Sequence, residues 1–203
     1  MNRLSAIALS IMIAVGFPIA AQSAQSAQSG SPLAQLPEQE QVALQKGKVI
    51  LTGQEGHYTG RFLVTASIDT AWKVLIDYDN FQNFLPNVAS SRILENNGNQ
   101  KVFEQVNVVR VFLFSRKSRV VIATSERYPS QIAFRSIAGN LKSLTGSWQL
   151  EPISPNRILV TNQVMVAPSA STPGALFFKL YKSALKDSLM ALERETERFS
   201  VGK

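Results

Sequence analysis

The chain of 203 residues has no cysteine and a single histidine, His57. Without thiols there can be no cysteine nucleophile, disulfide framework, zinc–thiolate site or iron–sulfur cluster, and one imidazole is too few for a multi-histidine metal centre. No metal and no other cofactor is expected. A hydrolase triad would rest wholly on His57, which follows Glu55 and Gly56 in a turn, and no Gly-x-Ser-x-Gly elbow holds a nucleophile. A phosphate-cradling glycine loop is missing as well. Charged residues are scarce, at 17%, while 45% are hydrophobic, so the chain has material for one compact core and no sign of wholesale disorder.

The charge that is present leans basic. Lys and Arg number 21 against 14 Asp and Glu, a formal +7 that favours anionic surfaces without choosing between lipid and nucleic acid. The N-terminus chooses. Arg3 precedes an apolar run from Leu4 to Ala21, broken by Ser5, Ser10, Gly16 and Pro18 and followed by small residues, which is the order of a secretory signal. Residues 1–23 read as a signal peptide, with Ala21 and Ser23 supplying the small side chains a signal peptidase requires. Export to a bacterial periplasm or an equivalent lumen separates the chain from cytoplasmic nucleic acid, so no nucleic-acid partner is expected. The alternative is an uncleaved N-terminus acting as a membrane tether, since the run reaches roughly the 18-residue spanning threshold. Arg3 is the only charge that cleavage would remove, so the basic bias belongs to the domain.

Residues 21–29 repeat Ala-Gln-Ser three times before Gly30-Ser31-Pro32, a tract too small and polar to order itself. Residues 24–46 are expected to form a flexible linker, with a short helix from Pro37 to Lys46 in which Pro37 takes the first helical position. Residues 47–200 form one domain. Strands are expected over 48–54 and 58–68 from their apolar alternation, then a helix capped by Asp69 and running to Tyr78, and a second short turn over 81–85. Six further strands follow, near 88–95, 101–112, 116–127, 131–138, 144–151 and 157–166, joined by short turns that imply an antiparallel sheet. Thr172 and Pro173 open a last helix whose broad apolar face includes Phe177, Leu180, Tyr181, Ala184, Leu185, Ser188, Leu189 and Leu192. That face must lie on the sheet. The fold class is therefore α+β, a curved antiparallel sheet wrapped around a long C-terminal helix.

Several residues now resemble a known family. Ala71-Trp72, Leu75, Asp77-Tyr78, Phe81 and Phe84-Leu85-Pro86-Asn87-Val88 are similar to the helical pair of the helix-grip superfamily (START-like, Bet v 1-like, SRPBCC), and within it to the polyketide cyclase/dehydrase and coenzyme-Q-binding group. Glu126, Tyr128-Pro129, Ile132, Phe134, Gly139, Gly146-Ser147-Trp148-Gln149-Leu150 and Pro152 look like its middle strands, and Pro168 and Pro173 precede the last helix as they do there. The resemblance covers about residues 47–199. It implies a helix-grip fold with two short helices after the second strand, and a hydrophobic cavity between sheet and long helix, used by relatives to carry lipids, quinones or polyketides or to fold a polyketide for cyclisation.

The residues themselves support such a cavity. Placing charged side chains outside turns Val120, Ile122, Thr124 and Glu126 inward opposite Arg119 and Arg127, and likewise Ile132, Phe134 and Ser136, Trp148 and Leu150, and Ile158, Val160, Asn162, Val164 and Val166. Phe62, Val64 and Ala66 complete this apolar wall, whose few polar members suit a lipophilic ligand oriented by one or two hydrogen bonds. Candidate ligand contacts are Phe62, Val64, Val120, Ile122, Thr124, Glu126, Phe134, Ser136, Trp148, Asn162 and Val164, with Phe177, Tyr181, Ala184 and Ser188 from the helix. Ordinary core packing would produce the same alternation. Asn162 is the telling position, because a buried amide without partners costs about 1–3 kcal/mol.

A second feature is the segment from Arg110 to Arg119. If the hairpin bends near Phe112–Ser115, the apolar tip Phe112, Leu113 and Phe114 is flanked by cations including Arg116 and Lys117, a combination suited to transient contact with an anionic membrane. The competing view makes Phe112 and Phe114 inward strand residues. The expected function is an exported binding or carrier protein for a hydrophobic small molecule of lipid, quinone or isoprenoid type, with no catalytic residue assigned. The alternatives are a cyclase/aromatase using Glu126, its pKa raised by burial, or Tyr181 as internal acid or base, and a filled-core interaction module. N-terminal sequencing of exported protein is expected to begin near residues 21–24; a start at Met1 would refute cleavage.

Overall fold

The computed structural model describes residues 30–111, 114–170 and 173–201. The proposed signal peptide, the Ala-Gln-Ser repeats, Phe112, Leu113 and the cap at Thr172 lie outside these residues. The elements run α1 (Glu38–Gln45), β1 (Ile50–Gln54), β2 (His57–Val64), α2 (Ile68–Leu75), a 3-10 turn (Tyr78–Asn80), α3 (Phe81–Phe84), β3 (Val88–Asn97), β4 (Gln100–Val111), β5 (Phe114–Arg127), β6 (Gln131–Gly139), β7 (Leu141–Ser154), β8 (Arg157–Pro168) and α4 (Gly174–Val201). The strands form one eight-stranded sheet in the order β1-β2-β8-β7-β6-β5-β4-β3, every pair antiparallel. Only the β2–β8 contact is not a hairpin. It brings the last strand beside the second, so α4 departs from the first half of the sheet.

The α+β architecture expected from the pattern is the one observed, with two local corrections. The cap of α2 is Ser67, whose side chain accepts a hydrogen bond from the Thr70 backbone N–H at 3.2 Å. Asp69 is already inside the first turn, where it instead accepts from the Tyr128 hydroxyl at 2.6 Å. Pro37 is likewise the cap of α1 and not its first helical residue: its ψ of 140° is extended, and Glu38 begins the helix.

Residues 32–45, within the stretch expected to be a linker, fold back onto the convex side of the sheet. Leu63 and Leu159 point away from the concave face, and Leu33 and Leu44 cover them to make a small separate core with Leu36, Ile50 and Ile153 around it. Glu40 and Arg61 close its rim with an ion pair at 2.8 Å. Two leucines that would otherwise sit in water explain why this segment docks.

On the concave side, the close backbone approaches of α4 are to β1, β2, α2 and α3, with nothing comparable to β4–β7. Gly60 on β2 makes the closest one possible. A Cβ there would lie 2.4 Å from Cδ1 of Leu189, a side chain with no exposed surface. Further up, Lys182 donates to the Gly53 carbonyl at 2.7 Å, and the Tyr58 hydroxyl donates to the Phe178 carbonyl at 3.3 Å, so the start of α4 is tied to the β1–β2 hairpin. Replacing Gly60 with Val is expected to wedge α4 off the sheet and destabilise the fold by about 1–3 kcal/mol, measurable as a lowered denaturant midpoint; an unchanged midpoint would refute the contact.

Candidate functional site: the concave face of the sheet

Every strand residue assigned inward by charge alternation is buried or half-buried: Phe62, Val64, Val120, Ile122, Thr124, Glu126, Ile132, Leu150, Val160, Asn162 and Val164 are buried, and Phe134, Ser136 and Trp148 half-buried. From α4, Phe177, Tyr181, Ala184 and Ser188 are half-buried. The concave face does not fuse into one core. Phe62, Val64, Trp72, Ile132, Leu150, Val160, Leu189 and Leu192 belong to one buried cluster. Tyr58, Tyr78, Phe81, Phe103, Val120, Ile122, Leu144, Val164 and Val166 belong to another. A small domain ordinarily has one contiguous core. Here the two halves meet through partly buried side chains, among them Ile76, Phe84, Leu85 and Leu185.

The cross-strand register locates the divide. Gly60, Asn162, Trp148, Ile132 and Glu126 form one row across β2, β8, β7, β6 and β5; Tyr58, Val164, Gly146, Phe134 and Thr124 form the next. On β8 Val160 belongs to the first cluster and Val164 to the second, with Asn162 between them. On β7 a Cβ at Gly146 would lie 2.5 Å from the Phe134 ring, so the glycine lets that ring lie flat over the strand and keeps it low on the sheet. Aromatic rings line the side nearest the start of α4. Tyr181 stacks between Tyr58 (5.9 Å between centroids) and Phe177 (5.7 Å), and burial pushes its hydroxyl above the ordinary tyrosine range, so it stays a neutral phenol.

Two polar groups stand in this wall with opposite status. Glu126 is saturated: it accepts from the Tyr78 hydroxyl at 3.0 Å and is ion-paired with Lys101, whose own side chain is largely buried. Tyr78 is held in turn by stacking on Phe103 at 4.4 Å. The sequence offers Glu126 as a buried candidate acid or base; in the structure Lys101 from the adjacent strand is its ion-pair partner. Asn162, 1% exposed, donates from Nδ2 to the Ser147 carbonyl at 3.3 Å, while its Oδ1 is buried with no hydrogen-bond partner among the described residues. Ser136, a third polar member, accepts from the Leu144 backbone N–H at 2.9 Å.

Two clefts open elsewhere. One, of about 480 Å3, lies between α2 and the end of α4, lined by Thr70, Lys73, Val74, Ile76, Asp77 and Phe199. The other, of about 280 Å3, is walled by the end of α1, β2, Arg157 and the α4 residues Glu193 and Glu197. Burial and then the charge of Glu197 push the Glu193 carboxyl up to about 7. Neither cleft was anticipated, because each is assembled from segments far apart in sequence. His57 is exposed at the start of β2, as a turn histidine should be. In the basic hairpin Val111 of β4 pairs with Phe114 of β5, Phe112 and Leu113 lie outside the described residues, and Lys117 is exposed. The side chains of Phe114 and Arg116 lie outside the described residues.

Comparison with known proteins agrees with this architecture. Residues 64–193 match the family model described as polyketide cyclase / dehydrase and lipid transport, and the chain belongs to that family. Its fold is shared with a STAR-related lipid transfer protein from Xanthomonas axonopodis, at 20% identity and a TM-score of 0.60 over 73% of this chain and 92% of that one. The Zhui aromatase/cyclase from Streptomyces is similar at 18% identity and a TM-score of 0.60, covering 70% of this chain and 93% of its own. A START superfamily protein from Mycobacterium smegmatis is 20% identical with a TM-score of 0.57, covering 71% and 99%. No curated protein matches in sequence.

The Glu126 site yields a double-variant test. Lys101→Met strands a buried carboxylate and is expected to cost about 3–5 kcal/mol. Adding Glu126→Gln should recover most of that loss in denaturant unfolding; independent, additive losses would show that the pair is not coupled.

Proposed function

We propose that the protein is a binding or carrier protein for a hydrophobic small molecule, of lipid, quinone or isoprenoid type, held between the concave face and α4. The observation that carries this is the divided interior. Inward-facing aromatic residues on β6, β7 and the first half of α4, namely Phe134, Trp148, Phe177 and Tyr181, keep accessible surface, whereas Leu189 and Leu192 seal the far end. An apolar surface left short of partners in the middle of a domain is what an apolar ligand covers. Membership of a family whose description includes lipid transport supports the same reading.

The cyclase reading has less behind it. It needs an acid or base free to exchange a proton with substrate, and Glu126 is committed to Lys101 and Tyr78. Tyr181, its hydroxyl pushed above the ordinary tyrosine range by burial, is poorly suited to act as a base.

Export is part of the proposal and rests on the N-terminal sequence alone. Membrane contact through Phe112, Leu113, Phe114, Arg116 and Lys117 is proposed too, from the sequence of the Arg110–Arg119 segment. The start of α4, the bend of the β4–β5 hairpin and the β6–β7 turn lie at the same end of the sheet, by register. There Leu176 and Ile137 are exposed apolar residues, and Lys142 and Lys179 are exposed cations. Contact at this end would present the start of α4 to a bilayer. Among the described residues no helix is long and apolar enough to cross a membrane.

Solvent extraction or native mass spectrometry of purified protein is expected to release an apolar molecule. Ala184→Phe, which adds bulk at a half-buried position of α4, should abolish its retention without lowering the melting temperature. Consistently empty preparations of the wild type would refute the proposal. Sedimentation with anionic vesicles should fall with added salt and fall sharply for the Phe112→Ser, Phe114→Ser double variant; equal binding by variant and wild type would remove the membrane contact.

A further inference from the structure

Asn162 narrows the chemistry of the ligand. Its side chain stands on the concave face between Gly60 and Trp148, at the boundary between the two apolar clusters. The amide can be oriented in only one way. The atom 3.3 Å from the Ser147 carbonyl must be the donor Nδ2, because a carbonyl oxygen there would face another carbonyl oxygen. The planar group therefore turns Oδ1 away from the β7 backbone, and Oδ1 is buried with no partner. A buried acceptor left unpaired costs about 1–3 kcal/mol. Valine, the residue type at Val160 and Val164 on either side, would have filled this strand position without that cost.

We propose that Asn162 Oδ1 is a ligand-recognition group, and that the molecule carried is an apolar compound bearing a hydrogen-bond donor such as an alcohol, phenol or quinol. This rests on the carrier function proposed above and selects within it. Oδ1 can only accept, and Nδ2 is already committed, so a ligand whose polar atoms are all acceptors, such as a quinone, an aldehyde or an ester, leaves the oxygen unpaired. A hydroxyl satisfies it. Gly60 is the neighbour that makes this possible. With no side chain of its own, the residue paired with Asn162 on β2 brings no group that could satisfy or cover Oδ1. A bound hydroxyl then supplies the hydrogen bond that the oxygen lacks.

The test uses retinol and retinal, which share one apolar skeleton and differ in having or lacking a donor. Binding is followed by quenching of Trp148 and Trp72 fluorescence. The wild type is expected to bind retinol about tenfold more tightly than retinal, the ratio that about 1.4 kcal/mol of hydrogen bonding produces. Asn162→Leu should bind both at the weaker affinity, with a melting temperature equal to or above that of the wild type, since it removes an unpaired polar group. Equal wild-type affinities for the two compounds, or a preference that survives in Asn162→Leu, would overturn the role of Asn162 and leave the carrier function standing. Failure to bind either compound, or any apolar molecule released from the purified protein, would overturn the carrier function itself. The wild-type comparison stands alone if the variant does not fold.

Discussion

One geometric mismatch governs this protein: a single helix cannot cover an eight-stranded sheet. Strands spaced about 4.8 Å apart make a surface some 34 Å wide before curvature, and a helix with its side chains is about 10–12 Å across. Flush contact with the whole concave face is excluded. The chain spends α4 on β1 and β2, where Gly60 lets Leu189 seat directly on the strand, and supports it with α2 and α3. Tyr78 and Phe81 reach the other side, around Phe103 on β4. Between these two anchorages α2 lies on β7 and β8, and the aromatic rings of Phe134 and Trp148 on β6 and β7 face the interior half-buried. Division of the core into two clusters follows from this, and so does the partial exposure of residues that point inward.

The same mismatch explains what was legible in the sequence. A two-residue period is a local signal, so the inward faces of β5 to β7 are readable from Arg119, Arg127, Arg135 and Glu151, and that of β8 from its more apolar alternate positions. Element boundaries fell close for the same reason. What could not be read was anything that depends on register between strands or on docking from a distance. Lys101 is 25 residues from Glu126 and reaches it diagonally across β4 and β5, so the pairing that disarms the carboxylate leaves no trace in either local pattern. Leu33 and Leu44 looked like part of a polar tether because the surface they cover, Leu63 and Leu159, belongs to strands far along the chain. The cap at Ser67 was missed for a smaller reason: Asp69 and Ser67 are both good caps, and only the backbone angles decide.

The polar residues of the interior divide along functional lines. Glu126 has Tyr78 and Lys101, and Ser136 has a backbone N–H. These are groups whose needs the fold itself meets, as buried polar groups usually are. Asn162 is met by half. A buried ion pair is poor evidence of added stability, since desolvation offsets most of its attraction, but it is good evidence that the groups are held still. A proton-transfer site needs a group with a free valence towards substrate. A binding site needs only an unmet hydrogen bond in an otherwise apolar wall, and this is the arrangement at Asn162.

An interior of this kind also sets a relation between stability and occupancy. The two buried clusters of the concave side meet through partly buried side chains such as Ile76, Leu85 and Leu185, so the middle of the interior is less tightly closed than the Leu189 end. Anything that binds the folded state alone adds RT ln(1 + [L]/Kd), about 2.7 kcal/mol at a hundredfold excess over Kd. The seal at Leu189 and Leu192 does not depend on that contribution, and neither does the convex core under α1. The domain can therefore stay folded while empty, as a carrier between loading and release must. The parts most responsive to ligand are those with least packing of their own, the first turns of α4 around Phe177 and Tyr181, at the end of the sheet where Leu176, Lys142 and Lys179 face solvent. On the proposed function, entry and release would use that end, because opening there disturbs stacked rings and a few hydrogen bonds, whereas opening at the other end would require unseating Leu189 from Gly60.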